Sequence, residues 1–178
     1  MRQHLSILSA FLLSQFSLVS CGSITNKSPE PRIYKIEFAR CSSYGPTPFE
    51  AFSIDSSRLI QYHGVAFVEK YGYFKGEIAG TDWEKLESRC LTLLDFKSDT
   101  CWNLQDAQAL QLIIYSTKGV QHFYGESECL PDSLVQFCQM LMKLPEQVSL
   151  TETSSFSIET SLEKSYEGLP RDPNKEVP

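Results

Sequence analysis

LIQYHGVAFVEKYGYFKGEIAGTDWEKLESRCLTL, residues 59–93, carries two periodicities in one passage. Its first half reads as two strands, Leu59 to Val68 and Tyr71 to Ile78, both rich in aromatic and β-branched side chains. Gly72 and Gly76 punctuate the second, where bulges or a close backbone approach are expected. Beyond Thr81 the spacing becomes helical, with Trp83, Leu86, Cys90 and Leu93 recurring on one face. Thr81 and Glu84 have the spacing of a capping box, in which hydroxyl and carboxylate each satisfy an orphan amide, so the helix is expected to open there.

The same reading extends both ways. Upstream, Ile33 to Phe38 alternates, placing Tyr34, Ile36 and Phe38 on one face of a first strand. A Gly/Pro loop from Ser42 to Pro48 leads to a second strand at Phe49 to Ile54, and Asp55-Ser56-Ser57-Arg58 is a turn cluster. Downstream of the helix comes a polar loop, Ser98 to Asp106. Ala109 to Ser116 and Val120 to Gly125 then form a hairpin through Thr117-Lys118-Gly119. Pro131 and Asp132 open a second helix, since proline needs no amide partner and the acid meets the positive dipole end. Leu134, Phe137, Cys138, Leu141 and Leu144 are its apolar face, and Pro145 ends it. The order β-β-β-β-α-β-β-α with hairpin-length connections implies an α+β fold: an antiparallel sheet of about six strands with two helices packed on one face.

The ends of the chain have a different character. Residues 5–20, LSILSAFLLSQFSLVS, are apolar, follow Arg2 and contain no acid. The stretch is short and serine-rich for a membrane-spanning helix, which needs ~20 mostly apolar residues. It has the layout of a signal peptide over residues 1–20. Leu18-Val19-Ser20-Cys21-Gly22 resembles the lipobox of bacterial lipoproteins, in which the cysteine thiol takes a diacylglyceryl group and the bond before it is cut. Such an anchor places acyl chains, palmitate among them, in the bilayer. An ordinary signal peptide cut after Cys21 or Ser23 is the alternative. Gly22 in place of Asp resembles the sorting pattern for the outer membrane, and the absence of an acidic cluster after it favours a domain facing the periplasm. Residues 21–31 then form a small, polar, proline-bearing tether, and 32–150 the domain. Residues 151–178 are rich in Ser, Thr, Glu and Pro and are expected as a mobile tail, with Phe156-Ser157-Ile158 the one segment able to dock as an extra edge strand.

Charge and composition exclude some partners. The formal net charge is −6, and removing residues 1–20 takes away Arg2 and no acid. The bases are scattered, so a nucleic-acid backbone has no basic stripe to meet. Beyond Cys21 there are five cysteines, at 41, 90, 101, 129 and 138, none in a C-x-x-C pair. Cys90 and Cys138 fall on the helical apolar faces and read as small core residues. Cys101 and Cys129 lie in expected loops, and their pairing is the favoured disulfide among the possible ones in an exported chain. His63 and His122 have no ligand neighbour at metal spacing, so no metal site and no cofactor is expected. No nucleophile elbow, zinc-protease motif or P-loop is present, and no catalytic residue is assigned. The aromatics of the strands, Tyr62, Tyr71, Tyr73 and Tyr124, are the candidate binding surface, because tyrosine is enriched at interfaces.

Several short motifs, in order, carry a resemblance. Arg40-Cys41 with Gly45, Pro48 and Phe49 precedes a strand ending at Ile54. Tyr62-His63-Gly64 follows, then Gly72-Tyr73-Phe74-Lys75-Gly76, a Trp83-x-x-Leu86 helix, the loop acid Asp106, and Pro131 before the last helix. From Tyr34 to about Val148 the chain resembles a family of domains of unknown function common among Bacteroidetes-type lipoproteins. The resemblance implies the fold and the lipid anchor and no activity. Thr47 stands where that family has a second cysteine, and Ser57-Arg58 where it has Asp-Gly or Asn-Gly, so a family disulfide in the first of these loops has no partner here.

Two functions stay open at this point. One is a membrane-anchored envelope module that binds another protein or a cell-wall polymer without catalysis. The other is a hydrolase acting on an envelope polymer, with carboxylates from Asp55, Asp106, Glu126 or Glu128.

Overall fold

The computed structural model describes residues 30–42, 46–97, 100–101 and 108–160. The expected signal peptide, Cys21 with most of the tether, Asp106 and residues 161–178 lie outside these. Strands β1 (Ile33–Ser42), β2 (Phe49–Asp55), β3 (Leu59–Ala66) and β4 (Gly72–Glu77) precede helix α1 (Gly80–Leu93). After the two-residue β5 (Thr100–Cys101) come β6 (Gln108–Ser116), β7 (Gly119–Glu126), α2 (Asp132–Met142), the single turn α3 (Leu144–Gln147) and β8 (Thr151–Glu152). They form one sheet in the order β5-β7-β6-β1-β2-β3-β4-β8, antiparallel except for the parallel β5–β7 pair. The α+β fold read from periodicity is the fold observed. The two additional strands are the two-residue edge pieces β5 and β8, too short to leave a pattern.

Register explains why the helices lie on one side. Cross-strand partners share a face, so Ile36, Ile54 and Ile114 form one row and Phe38, Phe52 and Leu112 the next. Against these rows pack Trp83, Leu86, Cys90 and Leu93 of α1 and Leu134, Phe137, Cys138 and Leu141 of α2. Cys90 and Cys138 are free thiols inside this core. Burial raises the Cys138 thiol to about 12.

The helix starts differ from the expected ones. α1 opens one residue before Thr81, with Ala79 as its N-cap and no side-chain cap bond, so the Thr81/Glu84 box is not formed. The Ala79 carbonyl instead accepts from the amides of Asp82 and Trp83. Pro131 is the N-cap of α2 rather than its first residue. α2 ends at Met142, two residues before Leu144; Pro145 has no amide to carry its ladder on, and sits in the first turn of α3, where a missing amide costs no bond.

Two glycines are required by close approach. A Cβ on Gly64 would lie 1.8 Å from the Lys70 carbonyl oxygen, because the β3–β4 connection folds back over this strand. One on Gly76 would lie 2.8 Å from the Ser149 carbonyl, where the chain leaving α3 crosses β4. The crossing delivers residues 151–160 to the other side of the sheet. Thr151 and Glu152 pair with β4, and Ile158 and Thr160 are buried. A domain edge drawn at Leu150 therefore falls at least ten residues short: the apolar side chains of this segment, few as they are, meet a sheet face left bare by the helices.

Candidate functional site

The face away from the helices is built from alternate residues of the same strands. Tyr73, His63, Ala51, Ala39, Gln111 and Tyr124 form one row across β4, β3, β2, β1, β6 and β7. Small residues fill the middle of it. Ala39 and Ala51 are direct partners, and Ala109 lies one row on, paired with Cys41. The methyl side chains make a low floor, a trough with His63 and Gln111 standing between it and the tyrosines.

Residues 153–160 cross this face as an extended strap that is neither helix nor strand. Its burial alternates: Phe156, Ile158 and Thr160 turn inward while Ser157 and Glu159 are exposed. Ile158 is 2% exposed and packs with Ala39, Ala51 and Ala109, flanked by Cys41, Tyr124 and Phe156. The Phe156 ring meets Tyr73 edge-on at 5.1 Å, and Tyr73 stacks on His63 at 4.0 Å. The Thr153 amide donates to the Tyr73 carbonyl at 2.8 Å.

A buried carboxylate fixes the far end of the strap. Glu37 is fully buried on this face, and its Oε2 accepts the Glu159 backbone amide at 3.1 Å. The Tyr115 hydroxyl lies 2.9 Å from Glu159 Oε2 and 3.2 Å from Glu37 Oε2. Lys35 pairs with Glu37 Oε1 at 2.6 Å and sits 5.1 Å above the Tyr115 ring. Desolvation, and then the hydrogen bond to Glu159, push the Tyr115 phenol above its ordinary range. An acid on a β1 position between Ala39 and Lys35 gave no sign in the sequence of what it would hold, because its partner lies 122 residues away.

A second polar group faces the helices. Arg40 and Glu50 are cross-strand partners, with Arg40 Nε donating to Glu50 Oε1 at 2.7 Å. The Tyr62 hydroxyl donates to Glu50 Oε2, also at 2.7 Å. Burial first, and then the Glu50 charge, raise the Tyr62 phenol. A signal for this group was available. Arg40 continues the alternation of Ile36 and Phe38, and Glu50 that of Phe52 and Ile54, so both were due on the core face and needed partners.

The sequence-named residues separate accordingly. Tyr73 and Tyr124 lie on the strap face, under Phe156 and Ile158, and Tyr71 is half-buried at the β3–β4 connection. Tyr62 belongs to no exposed surface. It is 3% exposed in the core, because its place in β3 pairs it with Phe52 and Phe74 on the helix side. Cys129 is disulfide-bonded, and the backbone of Cys101 pairs with Gly125 in β5. The side chain of Cys101 lies outside the described residues, as does Cys21.

Of the acids considered for hydrolysis, Asp55 holds its own turn by accepting from the Ser57 amide, and Glu128 accepts from the adjacent Ser127 hydroxyl. Asp55 and Glu126 are in rows with Lys35 and Cys41 respectively, about 20 Å apart along β1 at ~3.3 Å per residue. An open groove of about 330 Å³ separates the outer sides of α1 and α2, with Lys85, Gln136, Gln139 and Lys143 around Leu86 and Met140.

No curated protein matches the chain. Residues 34–145, from β1 into α3, match the family model of a domain of unknown function, DUF6438. The match contains the sheet face with its trough and stops before the strap. The chain belongs to the DUF6438 family, a domain of unknown function.

Proposed function

We propose that the protein is a lipid-anchored envelope lipoprotein, of the kind the resemblance to Bacteroidetes-type lipoproteins implies, whose domain is a non-catalytic module binding another envelope protein through the strap face. Cys21 carries the anchor, the acyl chains lie in the outer membrane, and the domain faces the periplasm. The lipobox-like Leu18-Val19-Ser20-Cys21 supports this address. So does the disulfide at Cys129, since such bonds persist in oxidising compartments. We assign its partner as Cys101, whose backbone is paired beside Gly125, four positions before Cys129.

The observation that carries the binding reading is the strap face itself: a floor of small residues in a row that ends in half-buried tyrosines, with a buried carboxylate near one end that takes a backbone amide. Aromatic anchors beside a concave floor are the chemistry of protein recognition.

Two experiments test the two parts. Cys21→Ala should move the protein from the membrane pellet to the soluble fraction or leave it unprocessed, and wild-type fractionation would remove the anchor. A photo-crosslinking residue at His122, exposed on the strap face, should give a discrete adduct with an envelope protein in cells, whereas one at Gln136 on α2 should not. Equal labelling at both positions, or none at His122, would overturn the binding face.

A further inference from the structure

Residues 153–160 contact the domain as a bound peptide contacts its receptor. Alternate side chains enter the face, Phe156 against Tyr73, Ile158 into the alanine trough and Thr160 beyond it, while Ser157 is exposed and the exposed Glu159 reaches sideways to accept from the Tyr115 hydroxyl. Main-chain recognition is supplied by Glu37, whose buried Oε2 takes the Glu159 amide. Unlike a strand added to a sheet edge, this segment lies across the face, held by alternate side chains and by one carboxylate-to-amide bond. The receptor side, namely Glu37, Ala39, Ala51, Tyr73, Ala109 and Tyr124, lies wholly within the matched family domain, and the strap lies wholly outside it. The floor thus comes from the part of the chain that the family match covers, and its present occupant from the part beyond it.

We infer that this trough is a receptor groove for an extended segment of a partner protein with the pattern aromatic–x–aliphatic–x–small β-branched, and that residues 153–160 are its resident competitor. The inference rests on the binding-module reading and adds to it the class of partner and its regulation. The partner must displace the strap, so strap affinity sets the threshold for binding. Thr160 shows what the third position prefers: it is fully buried, and its hydroxyl has no hydrogen-bond partner among the described residues. A valine there keeps the shape and removes the unmet hydroxyl.

The test uses the full chain with a Phe156→Ala/Ile158→Asp double substitution, which empties the trough. Its probe is a fluorescently labelled peptide of residues 151–160, TETSSFSIET. The peptide should bind the variant at least tenfold more tightly than it binds wild type. Glu37→Gln in the same background should weaken binding severalfold. The peptide carrying Thr160→Val should bind at least as well, and the peptide carrying Ile158→Asp should not bind. A folded variant that ignores the peptide, or a wild type that binds it equally well, overturns the inference. So does a variant that fails to fold, because the strap would then belong to the core. Amide hydrogen exchange in the unaltered chain gives an independent measure. The Glu159 amide should exchange much faster than the amides of the β1–β2 ladder, and equal protection would show that the strap does not leave. If the peptide fails while the His122 crosslink persists, only the groove and its competitor fall; if both fail, the binding-module reading falls with them.

Discussion

Glu50 shows how one buried charge shapes its surroundings. Its carboxylate is held by Arg40 on one oxygen and by Tyr62 on the other, and removing either leaves a buried charge short of a partner. Tyr62→Phe keeps the ring among Phe52 and Phe74 and deletes only the hydroxyl. It should lower stability by about 1–3 kcal/mol, read as a reduced urea midpoint at unchanged slope. Burial also sets the alkaline behaviour. The Tyr62 and Tyr115 phenols are raised above their ordinary value of 10.0, and the Cys41 and Cys138 thiols rise from 9.0 to about 11 and about 12. These groups keep their protons in the native chain at a pH where the unfolded chain has released them. The unfolded state then binds fewer protons, so stability falls as pH rises, first through about 9 and then more steeply past 10. Denaturant midpoints at about pH 8, 9.5 and 11 should decline in that order. At this scale the sequence named Tyr62 as aromatic and β-structured, but which of two faces it joined depended on register. A shift of one residue would have put it outside.

Among the elements, α1 was the most legible. Four residues at helical spacing, Trp83, Leu86, Cys90 and Leu93, are the four that are buried. Leu86, 2% exposed, is one of these buried positions, and truncation there tests the face. Leu86→Ala is expected to cost ~2–5 kcal/mol, and a denaturation curve superimposable on wild type would show the face to be wrongly assigned. The cap was less legible, because Thr81/Glu84 is a pattern that any exposed first turn can carry, and the backbone entered the helix from Ala79 instead. The β3–β4 hairpin depends on a different kind of constraint. Gly64→Ala would push a methyl into the Lys70 carbonyl, which is backbone and can yield only by moving the connection. A clear loss of melting temperature, with altered amide signals confined to residues 64–72, is the expected outcome. A bulge or close approach was expected at Gly72 and Gly76. The approach is found at Gly76, whereas Gly72 takes a left-handed φ of 100°. The tightest site is Gly64, where none was expected.

For the whole molecule, the sheet is a layer covered twice, by helices on one face and by eight residues of extended chain on the other. Burial of Ile158 alone is worth about 1.5–3 kcal/mol. Ending the chain after Leu150 should therefore lower the melting temperature measurably while leaving a cooperative transition, since the helix-side core does not use these residues. A fold lost on truncation would mean that the two faces are not separable. What is local could be read along the chain: strand-length apolar and aromatic runs bounded by turns for the six long strands, alternating in the first, a 3.6-residue stripe for each main helix, and turn chemistry at Thr117-Lys118. These together leave an antiparallel α+β sheet as the economical arrangement. Everything that joins distant positions emerged only on folding. Glu159 reaches Glu37, Ile158 finds three alanines from three strands, and the strap covers the tyrosines that an unassembled strand would expose. The physical reason is range. Local periodicity is written into each segment by its own backbone geometry, whereas a face is bare or covered according to which remote segment has enough apolar surface to offset the entropy of lying on it.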